Sequence, residues 1–299
     1  MTPAIDVQGL QVSYGPHAVL SGLDLTVAPG EVYALLGPNG AGKTTAISVL
    51  TTLLTPTAGT VRVAGFDVAT QQVEVRRRIA LTGQSAAVDD MLTAVENLVM
   101  LGRLSGLGTR RARERATELL ERFSLTDAAS RRVKTFSGGM RRRLDLALSF
   151  VVVPEVLFLD EPTTGVDPRS RLDLWEVIRT LADAGTTVFL TTQYLEEADL
   201  LADRVAILDG GRIVETGTPA QLKSLVGSDT LVLHGDDGEQ SAEIPTDGTI
   251  AGLRAALDAI EDPGAVASVS LRRPTLDDVF LSLTSTGGPA RPLAHKEIA

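Results

Sequence analysis

Nine residues, Gly37-Pro38-Asn39-Gly40-Ala41-Gly42-Lys43-Thr44-Thr45, constrain this chain more than any other stretch. They follow the apolar run Val32-Tyr33-Ala34-Leu35-Leu36 and precede residues 46–54, whose apolar positions recur at helical spacing. The phosphate-binding pattern G-x-x-x-x-G-K-[ST] is met at each fixed position, in the strand, loop, helix order it requires. Glycines let the backbone fold around a triphosphate so that successive N–H groups and the start of the helix face it. Lys43 adds a mobile positive charge, Thr44 is placed to ligate a magnesium ion, and Thr45 can bond a further phosphate oxygen. Pattern and context together favour a nucleotide site over a glycine-rich turn that merely caps a helix.

The 299 residues, 43% hydrophobic and 22% charged, suffice for a core-forming domain with room for a small second one. A formal net charge of −10 argues against nucleic acid as a partner, because such binding draws on phosphate neutralisation. Without cysteine, neither disulfides nor thiolate metal sites can form. Met1-Thr2-Pro3-Ala4-Ile5-Asp6 lacks the basic and apolar regions of a secretory leader, and no window approaches a charge-free apolar span of about twenty residues. Any membrane role is therefore expected through a partner, with no direct lipid anchor.

Ahead of the loop, Ile5-Asp6-Val7, Leu10-Gln11-Val12 and Leu23-Asp24-Leu25-Thr26-Val27 alternate as half-buried antiparallel strands do. Tyr14 is either a stacking platform for a purine ring or an ordinary strand-end tyrosine. After it come a short strand at 60–63, a short helix at 73–78 and a strand at 79–82 that ends in Gly83-Gln84. Helical periodicity over 94–104 and 110–123 marks residues 88–135 as a helical insertion in an α/β domain. Ser137 then suits an N-cap, and Gly138-Gly139 beside a helix start leave bare N–H groups, which fits an anion site or a capped helix alone. Val156-Leu157-Phe158-Leu159 is a strand of the doubly covered parallel type, ending in Asp160-Glu161. Ligands gather at such strand ends, so Asp160 is placed to hold magnesium and Glu161 to polarise an attacking water, the plainer reading being an acid pair before Pro162. A helix at 168–181, a strand at 187–191, Gln193, a helix from about 195 and a hairpin at 205–215 complete the domain. Residues 228–284 read as a small α+β appendage in which Thr275 caps a last helix, and the tail from 285 reads as disordered.

Taken in order, residues 37–45, Gln84, Ser137-Gly138-Gly139, the strand with Asp160 and Glu161, and Gly165-Val166-Asp167-Pro168 resemble the nucleotide-binding subunits of ATP-binding-cassette (ABC) transporters, over residues 4–227. The appendage, through Arg272-Arg273-Pro274-Thr275-Leu276-Asp277-Asp278-Val279-Phe280, is similar to the daunorubicin-resistance-type drug exporter ATPases. The resemblance implies a P-loop NTPase fold: a mixed α/β sheet core with an antiparallel β subdomain and a helical subdomain. It implies ATP hydrolysis by a homodimer that sandwiches two ATP molecules, with Tyr14 on adenine, Lys43, Thr44 and Thr45 on the phosphates, and Gln84 sensing magnesium. Ser137, Gly138 and Gly139 of the second copy would close the site, Asp167 would line the seam, and Glu161 would act as general base. The same resemblance places the protein peripherally on the cytoplasmic face of the membrane, beside a permease subunit, powering efflux of a hydrophobic drug or antibiotic-like compound. Two alternatives are an importer ATPase and a non-transport regulatory protein; the single phosphate loop and absence of sustained heptads weigh against the latter.

Two positions depart from the family pattern. Met140 stands where glutamine is usual, and its thioether cannot donate a hydrogen bond. Gln193 stands where a histidine usually meets the γ-phosphate; an amide can donate there but cannot carry a proton.

Overall fold

The computed structural model describes residues 2–82, 88–235, 240–260 and 266–284, and the chain divides into two compact units, Met1–Thr216 and Gly217–Ala299. The first opens with β1 (Ile5–Tyr14) and β2 (His17–Val27), followed by β3 (Val32–Leu36), α1 (Lys43–Leu50), β4 (Ala58–Val63), β5 (Phe66–Asp67), α2 (Gln72–Arg76) and β6 (Ile79–Thr82). Next come α3 (Ala94–Leu104), α4 (Thr109–Arg122), α5 (Gly138–Ser149), β7 (Val156–Asp160), α6 (Pro168–Asp183), β8 (Thr187–Thr192), α7 (Leu195–Leu201), β9 (Arg204–Asp209) and β10 (Arg212–Gly217).

A six-stranded sheet in the order β10-β9-β3-β8-β7-β6 forms the centre of this unit, and its neighbours from β9 to β6 pair in parallel. Every residue of β3, β7 and β8 is buried, as apolar runs without alternation require of strands covered on both faces. The register sets Tyr33 and Phe158 on either side of Phe189, with ring centroids 5.7 and 5.8 Å apart, so one row of aromatics locks three adjacent strands. That row joins a core shared with α1 and with the antiparallel sheet β2-β1-β4-β5.

The two short strands expected at 5–7 and 10–12 are one strand, β1, whose register shifts at Gly9, where φ is +59°. The first helix stops at Leu50 rather than 54, because Thr52 adopts φ +64° and the amides of Leu53 and Leu54 turn back onto Ser48 O at 2.8 and 3.0 Å. In the stretch read as helical, α3 starts with a capping box between Thr93 and Glu96, and α3 packs on α4 and α5.

The second unit holds α8 (Pro219–Ser224), β11 (Thr230–His234), β12 (Gln240–Pro245), α9 (Ile250–Asp258), β13 (Ser268–Arg272) and α10 (Leu276–Thr284). Its antiparallel sheet, β12-β11-β13, packs Leu231 and Leu233 against Ala256 and Leu253 of α9. Thr275 and Asp278 exchange hydrogen bonds at the start of α10: Asp278 N donates to Thr275 Oγ1 at 3.2 Å and Thr275 N to Asp278 Oδ2 at 2.9 Å. Those donors hold the Asp278 carboxyl below the usual range, with the Arg272 guanidinium adding to the effect. The turn at 236–238 and the tail from 285 lie outside the described residues.

One contact in the first unit is close enough to predict a mutant. A Cβ on Gly139, in the first turn of α5, would stand 2.3 Å from Ser170 Oγ and 2.6 Å from Ser170 Cβ on α6. Gly139→Ala should therefore destabilise the fold by about 1–3 kcal/mol, and Ser170→Gly in the same chain should recover part of that loss. Urea denaturation of the single and double variants checks this; equal losses in both would show that the helices do not meet as described.

Candidate nucleotide and hydrolysis site

Parallel pairing brings the carboxyl ends of β3, β8 and β7 to one edge, and the predicted residues gather there. Leu36 pairs with Thr192 and Asp160 with Thr191, so the 37–45 loop, Gln193 and the Asp160-Glu161 pair leave adjacent strands at the same level. Gly37 donates its N–H to Thr192 O at 3.3 Å, and a Cβ on it would stand 2.4 Å from Leu208 O, so only glycine fits. Gly42 has φ +108°, and a Cβ there would press on Leu20 at 2.7 Å and Val19 O at 3.2 Å. Contact with Val19 and Leu20 also brings the β1–β2 hairpin beside the loop. Tyr14, at the hairpin end opposite His17, is 54% exposed, as a stacking surface must be.

α1 starts on a glycine: Gly42 offers no side-chain acceptor and the first turn carries no acid, as at Gly108 before α4 and unlike α3, α6, α8 and α9, which side chains cap. The first-turn amides and the positive end of the helix dipole thus face an anion without competition. Pro38, Asn39 and Gly40 are exposed at the rim, while Ala41, Gly42 and Lys43 are buried.

Lys43 is 4% exposed, and its Nζ donates to Gly37 O at 2.8 Å and Pro38 O at 3.1 Å. The same ammonium pairs with Glu161 Oε1 at 3.2 Å. Sequence reasoning placed both residues at the site but did not foresee this ion pair. Thr44 Oγ1 lies 3.4 Å from Asp160 Oδ1, a hydroxyl and a carboxylate oxygen of the kind a hard cation takes, and Thr45 follows it, half-buried. Asp160 is fixed by Thr191 Oγ1, which donates to Oδ1 at 2.6 Å.

Glu161 carries a signal that no motif announces. Its φ of +48° is a left-handed conformation that side chains resist, at a cost on the order of 1–3 kcal/mol. The strain is held by its N–H, which donates to Thr191 O at 3.1 Å and Oγ1 at 3.2 Å, and by Thr164 Oγ1, which donates to Glu161 Oε2 at 3.3 Å. A regular strand end would aim this carboxylate elsewhere; the twist turns it to Lys43.

Other predicted residues gather at a second place. Ser137 and Gly138 are exposed, and Ser137 Oγ caps α5 by accepting Met140 N–H at 3.2 Å. Asp167, also exposed, caps α6 by accepting Ser170 N–H at 3.0 Å, and these hydrogen bonds keep its pKa low. Gly139 packs on Ser170, so the two helix starts form one surface. Gln193 is half-buried after β8. Gln84 lies outside the described residues; β6, just before it, pairs Thr82 with Leu159.

Residues 20–164 match the family model described as ABC transporter. The chain is 50% identical to the daunorubicin/doxorubicin resistance ATP-binding protein DrrA of Streptomyces peucetius, over 100% of this chain and 97% of that protein. It is 43% identical to the doxorubicin resistance ATP-binding protein DrrA of Mycobacterium tuberculosis, over 98% of this chain and 96% of the relative. Among solved structures, an ATP-binding subunit of an ABC transporter superposes with TM-score 0.66 at 29% identity, over 75% of this chain and 93% of that one. A dimeric ATP-binding cassette bound to ADP and Pi superposes with TM-score 0.64 at 22% identity, over 72% and 98%, and so shares the fold. With a phosphate loop, an acidic strand end and a full-length match of this kind, the chain belongs to the ABC transporter family, as an ATP-hydrolysing subunit.

Proposed function

We propose that this chain powers export of a hydrophobic drug or antibiotic-like compound through a separate membrane permease, as one half of a homodimer. The observation that carries the proposal is the convergence of Lys43, Asp160 and Glu161 at one sheet edge. The resistance proteins that match the whole chain support the export reading. No helix among the described residues is long and apolar enough to cross a membrane, so the transport path would belong to a partner, and this chain would sit peripherally on the cytoplasmic face.

Within the site, the amides at the start of α1, Lys43 and Thr45 would take the phosphates of ATP, and Tyr14 would stack on adenine. Thr44 and Asp160 would hold magnesium, and the family resemblance adds Gln84, which lies outside the described residues; when bound, the ion would supply charge neutralisation at the phosphates. Glu161 would orient and deprotonate the attacking water, and Gln193 would donate to the terminal phosphate. The outward-facing starts of α5 and α6 would meet the nucleotide of a second copy, Ser137, Gly138 and Gly139 closing on the phosphate and Asp167 on the seam. The helical subdomain at 88–135 would carry the resulting movement to the permease. Residues 228–284 would serve as an accessory domain to the cassette at 4–227.

Two substitutions test this reading. Lys43→Ala removes the buried cation that faces the phosphates and should raise the nucleotide Kd at least tenfold in equilibrium binding; an unchanged Kd would take Lys43 out of the site. Glu161→Gln removes both the base and the carboxylate that pairs with Lys43. It should hold ATP at least as tightly as the parent while turnover falls to a few per cent, and cells carrying it with the permease should lose their lowered doxorubicin accumulation. Parental hydrolysis in that variant would exclude Glu161 as the base, and accumulation unaffected by either protein would refute the drug-export reading.

A further inference from the structure

Beneath the strained turn at Glu161 lies a buried polar cluster to which the reaction scheme above gives no part. Arg142 of α5 donates from Nε to Pro162 O at 2.9 Å and pairs with Asp145 at 3.1 Å. From the other side comes Glu197, in the first turn of α7 and 0% exposed, whose Oε1 accepts the indole N–H of Trp175 on α6 at 3.0 Å. Its second oxygen, Oε2, is buried with no hydrogen-bond partner, and so are Thr163 Oγ1 and Arg171 Nε. Burial pushes the Glu197 carboxyl up, while Thr192, Trp175, Thr163 and Arg171 stand near enough to oppose that shift. Thr163 and Thr192 thus bring their hydroxyls to the Glu197 carboxyl from the segments after Glu161 and before Gln193.

A carboxyl buried with one oxygen unmet is destabilising where an apolar side chain would pack freely, so its presence calls for another reason. Its position supplies one. Gln193 and Tyr194 lead directly into α7, and α6 grips this segment twice: Arg171 stacks on the Tyr194 ring at 5.0 Å, and Trp175 holds Glu197 one helical turn further on. α6 begins at Asp167, and Thr163 stands two residues after Glu161. The cluster therefore touches the segments carrying Glu161, Gln193 and Asp167, none of which it shares a side chain with.

We propose that Glu197 is a positioning residue for ATP hydrolysis: through its bond to Trp175 it sets the Gln193 segment against α6, so that the terminal-phosphate contact and the Asp167 end of α6 move as one body. The proposal rests on the roles given above to Gln193 and Glu161. Glu197 acts through these residues and touches neither nucleotide nor water.

Trp175 is the chain's single tryptophan, so its emission reports this bond directly. In the full-length protein, Glu197→Ala should lower kcat at saturating ATP at least fivefold relative to Glu197→Gln, whose amide oxygen can still accept from the indole. Both should keep the Kd for a fluorescent ATP analogue within threefold of the parent. ATP should shift Trp175 emission in the parent and in Glu197→Gln but not in Glu197→Ala. Should Glu197→Ala fail to fold, Trp175→Phe deletes the donor alone and must show the same fivefold loss at unchanged Kd. A smaller difference in kcat, or a parallel fall of kcat, affinity and melting temperature in both Glu197 variants, overturns the proposal. Gln193→Ala separates the two claims: parental turnover there defeats the Gln193 reading, whereas impaired turnover there with indifferent 197 variants defeats this one.

Discussion

The whole site depends on parallel pairing of β3, β8 and β7. Because these strands run the same way and are covered on both faces, their carboxyl ends coincide, and three chain segments distant in sequence leave the sheet within bonding distance. Thr191 shows how tight this edge is: its hydroxyl donates to Asp160 and receives the Glu161 amide, while the neighbouring Thr192 carbonyl takes the amide of Gly37. The aromatic row Tyr33, Phe189 and Phe158 fixes the register from below. A slip of one residue in any of the three strands would separate the cation from its carboxylates.

On that edge, charge is arranged so that a buried lysine is always paired. The Lys43 ammonium lies among two carbonyls and the Glu161 carboxylate, all within 3.2 Å. A polyanion reaching the 37–45 loop would compete with Glu161 for that ammonium and free the carboxylate to take up a water proton. In the proposed scheme binding and catalysis would draw on one ion pair, which the φ of +48° at Glu161 accompanies. Away from this edge, the exposed starts of α5 and α6 form one surface, through which the proposed dimer would close.

Much of this was legible in the sequence, because local patterns carried it. Residues 37–45 could be read from glycine positions, the Asp160-Glu161 strand end from an uninterrupted apolar run, and the helix start at Ser137 from capping chemistry, since each feature is decided within a few residues. Illegible were features created by contact between segments. The Lys43–Glu161 pair joins residues far apart in the chain, the twist at Glu161 is imposed by Thr191, and the burial of Glu197 beside Trp175 depends on how α7 meets α6. Local overrides also escaped periodicity: Gly9 bulges one strand where two were expected, and Thr52 ends α1 four residues early.

The central claim is that ATP joins two copies of this chain and hydrolysis lets them separate. Sedimentation of the Glu161→Gln protein, with and without ATP and magnesium, measures it most directly. The account predicts that the particle mass doubles when nucleotide is added and returns to that of one chain when it is removed. A mass that stays at one chain under saturating ATP, with binding confirmed in the same sample, would contradict it.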